Sequence, residues 1–169
     1  MEDEELIIVP IDRSHDLSKF DCGANKINSW LHNFAMRNHE SGYTKTYLAY
    51  LGTALVGYYG VTLTAIANAD YFTEPKKEAP TFIPCLLIAK LGVDKQFQGK
   101  GIGTALLIDA FERLVAASEI VGGKAVVVDL LDNDLSLVPF YQKLGFMSMD
   151  GLYCRYYIEI ETVRNAMNE

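Results

Sequence analysis

Three glycines at the centre of residues 94–107, DKQFQGKGIGTALL, constrain this chain more than any other feature. Gly99, Gly101 and Gly103 fall where an apolar, strand-like run ends and a helical apolar pattern begins. Glycine is costly in helices and strands, so three of them at this junction indicate a backbone that has to stay free of side chains. Amides at the start of a helix are unpaired and lie at the positive end of its dipole. The stretch therefore predicts a diphosphate-binding loop, with a plain tight turn as the alternative.

Two widespread phosphate-binding motifs do not fit this stretch. A P-loop requires GxxxxGK followed by Ser or Thr, and the sequence contains no such run. A dinucleotide-binding loop requires GxGxxG and an acid about 20 residues later, at the end of the next strand. The glycines here are spaced GxGxG, and Glu119, which has that separation, falls within the predicted helix. A third kind of phosphate loop is needed.

Length and composition set the class of protein. The chain has 169 residues, half of them hydrophobic and 22% charged, which is typical of one globular domain. No run approaches the ~18 apolar residues of a membrane span, and the four acids at positions 2–5 oppose a signal peptide. We therefore expect a single cytoplasmic domain over residues 1–169, with no membrane association.

The number of cysteines and the net charge argue against further classes of protein. Three cysteines, an odd number without a CxxC pair, argue against a disulfide framework or a zinc site, and we expect no metal. The net charge of −7 argues against a surface coated with cations for duplex DNA. Because the acids at positions 2–5 contribute much of that charge, a local basic patch stays compatible with the composition.

Apolar periodicity predicts an α/β fold with a mixed sheet flanked by helices. The predicted strands are 6–11, two strands around the Gly52–Thr53 turn, 85–94, 124–131 and 152–160. The predicted helices are 24–38, ended by Gly42, then 104–121, and a short helix over 136–144 with Ser136 as its cap and Gly145 after it. Residues 68–84 are predicted to form a surface loop. Parallel strand pairing is expected within 85–131.

The glycine stretch resembles a known acyltransferase motif. QFQGKG at 96–101 is similar to the Q/R-x-x-G-x-G/A signature of the GNAT (GCN5-related) N-acetyltransferases, which bind the pyrophosphate of acetyl-CoA. It follows the strand LIAKLGVD and opens a long helix, and PFYQKLGF at 139–146 resembles the closing FYxKxGF motif of the family. The resemblance covers the chain in element order, is strongest over 85–146, and implies the GNAT acyl-CoA N-acyltransferase fold.

The resemblance also assigns roles to residues. It implies that strand backbone pairs with the pantetheine arm, that loop and helix amides hold the pyrophosphate, and that Tyr141 protonates the leaving thiolate. The implied residues around acetyl-CoA are Leu91, Gly92, Val93, Gln98, Gly99, Lys100, Gly101, Ile102, Gly103 and Thr104. Core packing is the alternative role of Tyr141. The chain departs from the family where Asp134, next to Asn133, stands at a common asparagine position.

The acceptor is expected to be an α-amine. The strand 85–94 lacks the glutamate that often acts as general base in this family, and it carries Lys90 instead. A lysine side chain, with a pKa of about 10.4, needs such a base far more than an α-amine with a pKa near 8. Water or a residue of another strand is the alternative proton acceptor.

The first third of the chain looks like one subgroup. FDCGANKINSWLHNFAMRNHESGYTKTYLAY (20–50) resembles the opening of the GNAT toxins of type II toxin–antitoxin modules. That resemblance implies acetylation of aminoacyl-tRNA, a block of translation, and neutralisation by a small DNA-binding antitoxin. Homodimers are common among such enzymes. Arg37, Lys45, Lys90, Lys95 and Lys100 are candidate contacts to tRNA phosphates, with a solvated surface role as the alternative and a role at the cofactor as a further alternative for Lys100.

Two other functions stay open on the sequence. A GNAT enzyme of this kind could acetylate a small-molecule amine or a protein N-terminus. A protein of another class, a non-catalytic acyl-CoA-binding sensor, would keep the loop that contains Gly99 and Gly101 (the glycine loop) but would show no turnover.

Overall fold

A computed structural model describes residues 4–130, 134–149, 152 and 154–169. The chain divides into two compact units. The first unit is Met1–Thr62 with Ala89–Ala110, and the second unit is Leu63–Ile88 with Phe111–Glu169. One domain over residues 1–169 stays a prediction.

Seven strands form one sheet in the order β1-β2-β3-β4-β5-β7-β6. The strands are β1 (Leu6–Pro10), β2 (Lys45–Leu51), β3 (Ala54–Ala67), β4 (Phe82–Val93), β5 (Ala125–Asp129), β6 (Met147–Ser148) and β7 (Arg155–Glu159). β4 and β5 are parallel, whereas β1–β2, β2–β3, β5–β7 and β6–β7 are antiparallel. The predicted mixed sheet, its hairpin and its parallel pair are confirmed.

The three predicted helical regions occur in the predicted order, and two helices that were not predicted, Asn68–Tyr71 and Ile160–Met167, are added. The helical elements are α1 (Asn25–Trp30), a π-helical turn (Leu31–Ala35), α2 (Met36–Ser41), α3 (Asn68–Tyr71), α4 (Ile102–Val121), a 3-10 turn (Leu135–Leu137), α5 (Val138–Lys143) and α6 (Ile160–Met167). None of the helices in the described part of the chain is long and apolar enough to cross a membrane.

The apolar stripe predicted at 24–38 becomes the core face of the first helical segment. Leu31 and Ala35 are buried on it, and Gly42 ends the segment with a left-handed backbone (φ 79°). Leu31 and Ala35 pack in a cluster with Phe20, Leu48 and Tyr58. The stripe did not reveal the π turn, because one extra residue in a turn hardly changes apolar spacing.

The second unit has its own core beside the parallel pair. Cys85 on β4 and Val127 on β5 pack in a cluster with Ile66, Ile83 and other apolar side chains. The first four residues of β5 are buried in succession, as expected of a strand covered on both faces.

The predicted loop 68–84 is wrong at both ends. Asn68–Tyr71 forms α3, and β4 already begins at Phe82. The side chain of Asn68 accepts a hydrogen bond from the amide of Lys76 and donates to the carbonyls of Lys76 and Pro80. These bonds order the segment, and its prolines and charges gave no sign of them.

Two predictions near the C-terminus also need correction. The strand predicted at 152–160 is shorter at both ends, because β7 begins only at Arg155 and α6 begins at Ile160, while Tyr153 lies outside the described residues. β6 was not foreseen. Ser136 is not the cap before α5. The carboxylate of Asp134 accepts a hydrogen bond from the amide of Ser136, so Asp134 caps the 3-10 turn that precedes the helix. Gly145 follows the helix with φ 100°, as predicted.

Candidate functional site

The candidate site begins at the end of β4, where Asp94 turns the chain. Asp94 is buried, and its carboxylate accepts hydrogen bonds from the amides of Asp21 (3.1 Å) and Gln96 (3.0 Å). Its own amide donates to the carbonyl of Val56 on β3 at 2.8 Å. The hydrogen bonds of Asp94 to Asp21, Gln96 and Val56 therefore fix the start of the glycine loop.

Two of the three loop glycines adopt a left-handed backbone. Gly99 has φ 76° and Gly101 has φ 82°, and a Cβ added at either one would meet no atom within 4 Å. Their conformation, not crowding by the protein, is what requires glycine. The missing side chains leave open space beside the backbone. Gly103 differs, because it is the second residue of α4.

The amides after the loop are available to an anion. The first intrahelical hydrogen bond of α4 runs from the amide of Ala105 to the carbonyl of Gly101, at 3.1 Å. The amides before Ala105, including those of Ile102, Gly103 and Thr104, thus precede the helix's own bonding pattern and lie at its positive end. An exposed loop whose left-handed glycines leave open space in front of such amides fits a diphosphate.

Two loop side chains make contacts within the protein. The side-chain amide of Gln98 donates to the carbonyls of Cys22 and Val93, both at 3.0 Å. The ammonium of Lys100 lies 5.4 Å from the ring centroid of Phe97. The side chain of Gln98 thus anchors the loop, and its contact with acetyl-CoA stays a prediction.

Close packing explains Gly92 near the end of β4. A Cβ at this position would lie 2.8 Å from Cγ2 of Ile27 and 3.5 Å from the sulfur of Cys22. Leu91 and Val93 on either side are partly exposed. No Asp or Glu occurs among the residues of β4, FIPCLLIAKLGV. The predicted contacts of Leu91, Gly92 and Val93 with pantetheine stay predictions.

Tyr141 lies in the second unit, on α5, in surroundings that favour the protonated form of its phenol. It is 7% exposed, and its ring packs edge-on against Phe140 and Phe146. Burial raises the pKa of Tyr141 to about 12. Within the described residues its hydroxyl makes no hydrogen bond. The phenol is thus protonated at neutral pH and can donate its proton to a bound group.

The five predicted substrate cations all lie in the first unit, and Lys95 among them is paired with the carboxylate of Asp21 at 2.8 Å. Arg37 stacks over Phe34 at 5.4 Å, and Lys90 lies 5.9 Å from the ring centroid of Trp30. Lys45 donates to the carbonyl of His39 at 2.9 Å. Within the described part of the chain, Arg37, Lys45 and Lys90 are not paired with a carboxylate. Their charges are therefore available to an anionic partner.

Sequence reasoning missed the contacts around Asp21. This residue falls inside the FDCG motif quoted above, but the motif indicated only a subgroup and no contact.

At the family asparagine position, Asp134 serves as the cap described above, and hydrogen bonds from Ser136 lower its pKa. Asn133 lies outside the described residues. Within those residues no group of three His, Cys, Asp or Glu side chains could hold a metal ion.

Comparison with protein families identifies the fold and its chemistry. The model of the acetyltransferase (GNAT) domain matches residues 42–148, which is more than half of the chain. This segment contains β4, the glycine loop and α5, and so the resemblance on which the sequence analysis rested is confirmed.

Two curated relatives carry the names of toxins. A tRNA-acetylating toxin of Mycobacterium tuberculosis is 29% identical over 136 residues, covering 80% of this chain and 81% of the relative. A probable toxin TacT of Sinorhizobium fredii is 26% identical over 171 residues, covering 95% of this chain and 94% of the relative.

Solved structures share the fold over nearly the whole chain. AtaT complexed with acetyl-methionyl-tRNAfMet superposes with a TM-score of 0.87 at 24% identity, covering 96% of this chain and 99% of that one. AtaTR bound with AcCoA gives a TM-score of 0.81 at 24% identity, covering 99% of both chains. A KacTA–DNA complex gives 0.79 at 24% identity, covering 97% of this chain and 99% of that one.

Proposed function

This chain belongs to the GNAT acetyltransferase family, and from that premise we propose that it acetylates the α-amine of aminoacyl-tRNA. The glycine loop carries the donor half of the proposal, because its bare backbone and the first amides of α4 suit the diphosphate of acetyl-CoA. Acetyl-CoA, when bound, supplies an activated acetyl thioester. The relatives named above support the acceptor half, since one is a tRNA-acetylating toxin and another was solved with acetyl-methionyl-tRNAfMet.

The residues of β4 favour an α-amine over a lysine side chain. β4 offers no carboxylate that could take a proton from an incoming ammonium group. An α-amine with a pKa near 8 is partly neutral at physiological pH, whereas a lysine with a pKa near 10.4 is almost entirely charged. The acceptor can then enter in its reactive form without a base from this strand.

Tyr141 is the proposed proton donor in this reaction. Transfer of the acetyl group to nitrogen forms the carbon–nitrogen bond and breaks the carbon–sulfur bond. The departing sulfur gains a proton from a general acid, and the amine loses a proton to water, from which the acid can be reprotonated. A buried phenol stays protonated, so Tyr141 can donate to the sulfur but cannot accept the proton of the amine. Its position in the FY pair of the closing motif supports the same role.

Cations without carboxylate partners support a polyanionic acceptor. Arg37, Lys45 and Lys90 lie in the first unit and offer charge that tRNA phosphates can neutralise. They provide this charge locally, although the chain as a whole carries −7.

The relatives' names also suggest partners. AtaT has also been solved as a mutant toxin bound to the C-terminus of the antitoxin AtaR, and the KacTA complex contains DNA. We propose a small DNA-binding antitoxin as the partner of this chain, and a cytoplasmic site of action, where aminoacyl-tRNA is found. A homodimer stays a prediction.

Incubation with radiolabelled acetyl-CoA and individually charged tRNAs tests the proposed acceptor. The expected product is N-acetyl-aminoacyl-tRNA, whose label is released with the amino acid when the ester is hydrolysed at alkaline pH. Uncharged tRNA and tRNA carrying an N-formylated amino acid are the matched controls, and both should stay unlabelled. Turnover of small amines or N-terminal peptides alone would instead favour the alternative enzymes, and acetyl-CoA binding without any turnover would favour the sensor.

A further inference from the structure

A short segment before α1 is bonded to the glycine loop. Residues 21–23 lie outside regular secondary structure, about 70 positions from the loop in sequence. The amide of Lys95 donates to the carbonyl of Asp21 at 2.9 Å, and the amide of Asp21 donates to the carboxylate of Asp94 at 3.1 Å. The side chain of Gln98 donates to the carbonyl of Cys22 at 3.0 Å. These bonds hold the segment against the start of the loop.

The carboxylate of Asp21 joins both sides of this contact. One oxygen lies 2.8 Å from the ammonium of Lys95 at the loop. The other accepts hydrogen bonds from the side-chain amide of Asn28 on α1 and from the amide of Gly23, both at 2.8 Å. The Lys95 ammonium, the Gly23 amide and the Asn28 side chain hold the pKa of Asp21 well below its usual range. Asp21 is therefore ionised throughout the neutral range.

We propose that Asp21 is a positioning residue for acetyl-CoA, one that holds residues 95–101 in the conformation that presents the loop amides to the diphosphate. It acts through Lys95 and through the backbone of residues 21–23, and it touches neither substrate. The inference rests on the proposed function, because it presumes that the loop binds acetyl-CoA.

The sign of a charge-removing substitution separates this role from simple electrostatics. Asp21 is a negative charge close to a loop proposed to bind an anion, so its removal would tighten binding if the charge acted only through space. If Asp21 holds the loop in place, its removal weakens binding despite the lower repulsion.

Asp21→Asn provides the test, because the amide has the size of the carboxylate and lacks its charge. Calorimetric titration with acetyl-CoA should show binding weakened by roughly 10-fold, the size of one lost hydrogen bond to a charged group. The KM for acetyl-CoA should rise by the same factor, while kcat at saturating acetyl-CoA stays within about twofold. A purely structural defect would instead lower the active fraction, and hence kcat, without changing KM.

Asp16→Asn is the matched control. Asp16 is exposed and accepts bonds from the amide and hydroxyl of Ser18, so it shares the local turn chemistry of Asp21 without any contact to the loop. The control should bind acetyl-CoA as the unaltered protein does. Equal or tighter binding by Asp21→Asn would overturn the inference.

Lys95→Met supplies a second variant that should fold, because the side chain of Lys95 is 60% exposed. If Lys95 acts together with Asp21, the variant that carries both Asp21→Asn and Lys95→Met binds acetyl-CoA no more weakly than the weaker of the two single variants. Additive losses would show that Lys95 contacts the diphosphate by itself and would overturn the inference. Absence of binding by the unaltered protein is a different result, because it would contradict the proposed function.

Discussion

The ring of Phe146 meets the ring of Tyr141 edge-on, with their centroids 5.4 Å apart. The amide of Phe146 also donates to the carbonyl of Tyr141 at 3.1 Å, because Gly145 turns the chain back with φ 100° after α5. Phe146 is 2% exposed. Packing and the backbone thus hold the aromatic ring of Tyr141, while its hydroxyl makes no hydrogen bond to any residue that the structure describes.

Tyr141→Phe should therefore remove only the hydroxyl. We expect kcat to fall on the order of 10²-fold or more, the usual effect of losing a positioned acid, with acetyl-CoA binding unchanged by calorimetry. Tyr71→Phe is the control, since Tyr71 is also 7% exposed and packs in the core of the second unit, but its hydroxyl donates to the partly exposed Glu159. Full turnover by Tyr141→Phe would exclude Tyr141 as the proton donor.

The pH dependence of the rate should lack a descending limb. Activity is expected to rise as the acceptor's α-amine loses its proton, around pH 8, and then to stay level up to pH 10. Because burial raises the pKa of Tyr141 to about 12, the phenol keeps its proton over this whole range. Initial rates measured from pH 6 to 10, over times too short for the aminoacyl ester to hydrolyse, check this. A fall near pH 10 that disappears in Tyr141→Phe would contradict it.

Gly101→Ala should impair acetyl-CoA binding more than its strain alone explains. A left-handed alanine costs about 1–2 kcal/mol, which chemical denaturation should detect. The new methyl would point into the open space proposed for the diphosphate, so we expect a higher KM for acetyl-CoA. Gly122→Ala has the same kind of backbone, φ 85° against 82°, and equally open surroundings after α4.

That control should show the same loss of stability with an unchanged KM. Equal KM values in both alanine variants would place the diphosphate elsewhere.

Neutralising Arg37, which has no carboxylate partner in the described ranges, should weaken tRNA binding and leave acetyl-CoA binding unchanged. For Arg37→Gln we expect a higher KM for aminoacyl-tRNA and a salt dependence of binding reduced by about one unit of slope, the signature of one lost phosphate contact. Arg13→Gln is the control, because Arg13 is already paired with Glu40 at 2.6 Å. Filter binding over a salt series measures both. Identical slopes for the two variants would remove Arg37 from the tRNA surface.

Strong local patterns carried most of the fold prediction. The apolar stripe of the first helix, the Gly52–Thr53 turn and the buried run of β5 each depend on neighbours a few residues away, and all were read correctly. The errors lie where another part of the chain decided the outcome. Asn68 organises its loop through bonds to residues eight and twelve positions away, which no periodicity encodes.

The candidate site divides in the same way. Its loop was identified from the spacing of Gly99 and Gly101, since a left-handed backbone leaves glycine as a direct mark in the sequence. The role of Gln98 as an anchor was not foreseen, because an exposed glutamine carries no mark of the carbonyls that it meets.

The sequence by itself determined the family of this protein, the order of its main elements and the backbone chemistry of the glycine loop, because these depend on short-range spacing and on residue types with few allowed conformations. Only the tertiary structure decided that Asp21 meets Lys95 at 2.8 Å, that Ile27 leaves no room for a side chain at Gly92, and that Tyr141 is buried enough to hold its proton. Those facts depend on the path of the folded chain, which brings residues distant in sequence within bonding range.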